Sequence, residues 1–191
     1  MGRYTYRCNF KTTLSMNTIE FSEVQRFKIK WALLGVMALN IIFIYAIVQQ
    51  VFFGKAFGSK PAPDLVLIII ELGLLLLLLF LFSIKLKTKI TDAGIYFRFY
   101  PFQFKETLIE WHELRDAYIR QYNSFHEYGG WGLRKGRPDT GNAINTSSSS
   151  NKGLQLEFNN GTLLLIGTTR PDEIELIIES VIESGKINRR V

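Results

Sequence analysis

Hydrophobic and polar positions change rhythm twice along this chain. Residues 31–53 and 65–84 are almost continuously apolar, with Glu71 the single charged residue inside them. Roughly 20 apolar residues at about 1.5 Å rise match a hydrocarbon core about 30 Å thick, so both stretches are predicted to be transmembrane helices. Between them, Gly54, Gly58, Pro61 and Pro63 interrupt a helix and turn the chain back. The spans are therefore expected to pack as an antiparallel hairpin. Upstream, Ser22 and Gln25 have the spacing of a capping box. That spacing predicts a juxtamembrane helix from near Glu23, with Phe21, Val24 and Phe27 along one interfacial side. Residues 1–17 show no periodicity and read as an unstructured tail, in which Met16 is a second candidate start.

Beyond residue 84 the period falls to two. Residues 85–91 alternate basic with apolar or small side chains, Asp92-Ala93-Gly94 is a turn, and 95–102 is aromatic and strand-prone, which together predict a hairpin. Further strands are expected at 106–111, 115–122, 133–135, 143–146, 154–158 and 162–168, the last two joined by Asn159-Asn160-Gly161, a tripeptide that tolerates positive φ. Gly129, Gly130 and Gly132 mark a bend around Trp131. Residues 136–141 and 147–150 read as mobile loops. Pro171, Asp172 and Glu173 then open a helix. Ile174, Ile177, Ile178, Val181 and Ile182 form its apolar face, Glu175, Glu179 and Glu183 its polar one, and Gly185 ends it.

The predicted fold class is an α+β membrane protein. A tail and juxtamembrane helix (1–30) precede a transmembrane hairpin (31–84). An antiparallel barrel or sandwich of about seven strands follows (85–191), capped by a carboxy-terminal amphipathic helix.

That order of elements is the order of a pleckstrin-homology fold. Four segments strengthen the likeness: Ile90-Thr91-Asp92-Ala93-Gly94-Ile95-Tyr96, Ile109-Glu110-Trp111-His112-Glu113-Leu114, the YGGWGLR run from Tyr128 to Arg134, and Ile166-Gly167-Thr168. Over residues 21–184 the chain resembles bacterial membrane-anchored pleckstrin-homology-like proteins, a largely uncharacterised family. The resemblance implies a fold and a bacterial inner-membrane location, and no reaction.

Charge sharpens the topology. The net charge is +6. Residues 1–30 hold six Lys/Arg against two Glu, 31–84 are balanced at two against two, and 85–191 hold fifteen against thirteen. Arg26, Lys28 and Lys30 flank the first span and Lys85, Lys87 and Lys89 the second. Positive flanks stay on the cytoplasmic side, so both termini are expected there. The same placement points away from nucleic acid and to the bilayer as the expected partner. Cys8 is the only cysteine, which excludes an internal disulfide. Tyr6 stands where N-myristoylation needs Ser or Thr. The first apolar run is too long for a signal-peptide core and is expected to remain as an uncleaved anchor.

Catalytic patterns are sparse. No Gly-x-Ser-x-Gly, Gly-Lys-Ser/Thr or His-Glu-x-x-His occurs, so no catalytic residue, metal or cofactor is assigned. His112 and His126, with Glu113, Asp116 and Glu127, lack metal-ligand spacing. The hairpin loop at Thr91-Asp92-Ala93-Gly94 is short and acidic, unlike a phosphoinositide-reading one. Two sites remain. Trp131 with Arg134, Lys135 and Arg137 is a candidate interaction surface for an anionic peptide or headgroup, against the alternative that its glycines only shape the barrel. Glu71 is a candidate intramembrane polar site, because a carboxylate within a span costs several kcal/mol without a partner, water or a proton. Counting heights along the spans sets Tyr45 level with Glu71 and Asn40 nearer the middle, which predicts a Tyr45–Glu71 contact. The expected role is that of a non-enzymatic interaction or scaffolding module with a protein partner at the cytoplasmic face. The alternative is a transport- or channel-associated subunit using Glu71, which would need a homo-oligomer.

Overall fold

The computed structural model describes residues 21–26, 30–146 and 151–187. The expectations for the 1–17 tail, Met16, Cys8, Phe27 and the 147–150 tract lie outside them. Strand β1 (Phe21–Arg26) leads to helix α1 (Lys30–Ile47), which continues as a π-helical turn (Val48–Phe52), and helix α2 (Asp64–Ser83) returns. Both helices are long and apolar enough to cross a membrane, and only 11 % of each hydrophobic window is buried. A core helix of a soluble protein would be mostly covered. The connector is fastened by Gln50, whose Nε2 donates to the Ala62 carbonyl at 2.7 Å and to Asp64 Oδ1 at 2.6 Å.

The helix expected from Ser22 and Gln25 is instead strand β1, paired antiparallel with β2 (Lys85–Thr91), with Arg26 opposite Lys85. Its inward positions are Phe21, Glu23 and Gln25, its outward ones Ser22, Val24 and Arg26. The apolar spacing Phe21, Val24, Phe27 suggested a helical face because two of the three inward residues are polar. Those polar groups are paired far along the chain. Glu23 accepts from Thr168 Oγ1 at 2.8 Å, from the Thr169 N–H at 2.8 Å and from the Thr169 hydroxyl. Gln25 donates to the Gly167 carbonyl at 2.6 Å and accepts from Thr146 Oγ1 at 2.9 Å. Buried polar groups are tolerated when so satisfied.

The helical hairpin thus interrupts a pair of neighbouring strands. Ile84 is the only residue between α2 and β2, and it is buried in the core. After β2 come β3 (Gly94–Tyr100) and β4 (Thr107–Glu110), then a 3₁₀ turn (Trp111–Glu113), β5 (Leu114–Gln121) and a short helix α3 (Ser124–Tyr128). Strands β6 (Gly132–Lys135), β7 (Asn142–Asn145), β8 (Lys152–Phe158) and β9 (Leu163–Gly167) follow, and helix α4 (Pro171–Glu183) is the last element of the described chain.

Two sheets result, ordered β1-β2-β3-β4 and β5-β8-β9-β7-β6. The expectation of an antiparallel barrel or sandwich of about seven strands is refined in two respects. Nine strands form among the described residues, in two sheets without barrel closure. The second sheet is mixed, because β7 runs parallel to β9 with Ala143 opposite Leu165. The β8–β9 hairpin leaves one edge of β9 open, and β7 fills it while burying Ala143 and Ile144. Leu86, Ile95 and Phe99 of the first sheet meet Ala117, Leu154 and Ile166 of the second, and Ile174, Ile178 and Val181 of α4 close the same core. Fully burying each such side chain contributes about 1.5–3 kcal/mol.

Candidate functional site

The YGGWGLR segment links α3 to the free edge of the second sheet. Asn123 caps α3, accepting from the Phe125 and His126 amides at 3.1 and 3.0 Å. Gly129, at φ 67°, ends it in the left-handed conformation that glycine adopts without strain. Arg120 fixes this unit to β5 and β8, donating to Gln155 Oε1 at 2.8 Å, Glu127 Oε2 at 2.8 Å and the Tyr128 hydroxyl at 2.7 Å. The Gly132 amide donates to Oδ1 of the fully buried Asn145 at 3.0 Å. Trp131 is half-buried, outside the core, and set edge-on against the exposed Phe125 with ring centroids 4.5 Å apart.

Trp131 lines a cavity of about 320 Å³ with Ile84, Phe99, Phe102, Leu133 and Arg134. A second hollow of about 330 Å³ shares Leu133 and Arg134 and adds Phe97, Gln103, Lys135 and Asn142. Together they form a groove between β6 and the loop after β3. One end meets the end of α2. There Phe102 is stacked on Phe99 at 5.4 Å and edge-on to Phe80 of α2 at 5.9 Å, while Phe104 lies edge-on to Tyr100 at 5.9 Å. Lys85 Nζ stands 5.3 Å from the Tyr100 ring. Phe102 and Phe104 are exposed.

Of the surface predicted from sequence, the structure brings Trp131, Arg134 and Lys135 to this groove and leaves Arg137 in the next turn, where its amide is bonded to Thr140 Oγ1. Arg134 Nε donates to the Trp131 carbonyl at 2.9 Å, and its guanidinium lies where a Cβ on Gly130 would come within 3.4 Å. Phe99 and Phe102 were missed as site residues because only the tertiary fold places them opposite β6. Arg120 was missed because its partners lie up to 35 residues away.

Glu71 and Asn40 are both buried, at 6 % and 4 % exposure. Asn40 is roughly 15 Å along α1 from Lys30 and Glu71 roughly 18 Å along α2 from Ser83, which sets them at one height where the helices pack. Asn40 Nδ2 donates to the Val36 carbonyl at 2.7 Å, whereas its Oδ1 and both Glu71 oxygens have no partner. The expected Tyr45–Glu71 contact is not made. Tyr45 is 55 % exposed and meets Phe57 edge-on. The count along the helices paired Tyr45 rather than Asn40 with Glu71 and left out azimuth: Ala46 is buried, and its neighbour Tyr45 is turned away by about 100°.

Among the described residues no group of three or more His, Cys, Asp or Glu is placed to hold a metal. Exposed His112 faces Glu110 at 3.2 Å. The molecule is thus an α+β domain carried on a hairpin of two apolar helices, with an aromatic and basic groove where the two meet. Residues 14–184 match a family of unknown function (DUF6141), and the chain belongs to that family. No curated protein matches it.

Proposed function

We propose that α1 and α2 span the bacterial inner membrane and that the remainder is a pleckstrin-homology-like domain on the cytoplasmic side, acting as a non-enzymatic interaction module. One observation carries this reading. Leu34, Ile41, Leu65, Leu72, Leu76 and Leu79 are each more than half exposed on helices that the other described residues leave uncovered, and so large an apolar surface suits a lipid environment. The basic flanks support a cytoplasmic domain. Aromatic rings at the end of α2 suit the headgroup level, where Trp, Tyr and Phe rings anchor. The groove beside them is the surface through which the module acts, with a protein or a headgroup as its partner. Alkaline carbonate extraction tests the anchor: the chain stays with the vesicles, and its release into the supernatant would refute the reading.

The unpaired Glu71 and Asn40 oxygens favour a second reading, a transport-associated subunit in which these groups meet a proton, a cation or a second copy. Ion flux in proteoliposomes, abolished by Glu71→Gln, is its signature. Equal flux in the variant rejects it.

A further inference from the structure

Resting on the membrane-anchored reading, we propose that the groove between β6 and the loop after β3 holds one anionic phospholipid. Its acyl chain lies on Ile84, Phe99 and Phe102, and its phosphate sits at Arg134 and Lys135.

The groove has the polarity of such a lipid in the right direction. Tyr100 pairs with Lys85, so β3 ends where α2 ends, and Phe97 stands roughly 7 Å farther out than Phe99. At the α2 end the lining is Ile84, Phe99 and Phe102, continuous with Phe80 of the span. Farther out the lining keeps apolar residues, Phe97, Ile144 and Leu164, and gains Gln103, Lys135 and Asn142, with Arg134 common to both parts. Amide groups and a second cation are thus added only at the end away from α2, beside an apolar floor that runs the length of the groove. Trp131 lines the α2 end of the groove, an aromatic amphiphile suited to an interface.

Charge complementarity fixes the sign of the headgroup. No described carboxylate pairs with Arg134 or Lys135, whereas Arg115, Arg120 and Arg170 of the same domain are each committed to a glutamate. The Trp131 carbonyl takes Nε of Arg134, which leaves the terminal nitrogens for a phosphate. A peptide added to the open edge of β6 is the competing occupant. The four-residue edge is short for that, and its apolar side opens toward α2 rather than along the strand.

The test uses the full-length chain with photoreactive benzoylphenylalanine at position 133, and a second chain carrying it at position 176. Leu176 is exposed on α4 and does not line the groove. Both are reconstituted into phosphatidylcholine vesicles with or without phosphatidylglycerol, irradiated and weighed by mass spectrometry. Position 133 forms adducts with phosphatidylglycerol in preference to phosphatidylcholine, and position 176 forms none. Arg134→Ala and Lys135→Ala each lower the yield by about fivefold, the loss expected for one basic contact to an anionic headgroup. Both residues are exposed, and if one variant fails to fold the other carries the test. Equal labelling by the two lipids, adducts only to protein, or yields unchanged in both variants would overturn the proposal. A chain released by carbonate refutes the anchor itself, while an embedded chain with position 133 unlabelled refutes the lipid site alone.

Discussion

Glu157 accepts from the Tyr118 hydroxyl at 2.9 Å and from the Arg115 guanidinium. The Arg115 hydrogen bond, opposed by partial burial and reinforced by Tyr118, holds its carboxyl below the ordinary 4.5. On acidification the unfolded carboxyl takes its proton first, near that value, and the folded one later. The contribution is therefore complete above about 4.5 and is lost as pH falls toward and through the lower folded value. Thermal melts in detergent across this acid range are expected to show Glu157→Gln with a flatter pH dependence than the parent. Identical acid limbs would show that the pair contributes nothing. At this scale the sequence revealed what is conspicuous locally: Glu71 stands out as the one charge in two apolar runs. It concealed the bonds of Glu23 to Thr168 and Thr169 and of Arg120 to Gln155, because these partners are remote in sequence.

Strands and helices with their own punctuation were legible. The Asp92-Ala93-Gly94 and Asn159-Asn160-Gly161 turns announced β2–β3 and β8–β9, and the isoleucine period announced α4. Helix α3 has only five residues, too few for a period. The parallel β7–β9 pairing depends on which sheet edge remains open, which no local pattern encodes. Strand β1 was misread because Glu23 and Gln25 occupy inward positions. Its two-residue period makes a specific prediction: Phe21, 3 % exposed, costs about 3 kcal/mol on replacement by Ala, while Val24→Ala stays within about 0.5 kcal/mol. Denaturant titration of the solubilised protein distinguishes the two. A helical segment would put both residues on one face and make the costs similar.

For the whole molecule, the consequence of β1 is mechanical. The hairpin of helices is inserted between adjacent antiparallel strands, and Ile84 passes from α2 directly into the core. Tilt of α2 would therefore be felt at β2 and at Phe102, beside the groove, rather than being absorbed by a flexible linker. On the proposed anchor reading, that arrangement would hold the groove at a fixed height above lipid. The length and hydropathy of the helices were readable from sequence, but their attachment to neighbouring strands was not. The central claim is that the hairpin crosses the bilayer with the domain inside. It is tested most directly by single-cysteine labelling of intact cells with a membrane-impermeant maleimide, in a Cys8→Ser background. Ser59→Cys, in the connector between α1 and α2, labels from outside, and Leu176→Cys, on α4, labels only after the membrane is opened. Labelling of position 176 in intact cells, or failure of position 59 to label there while it labels after lysis, would contradict the account.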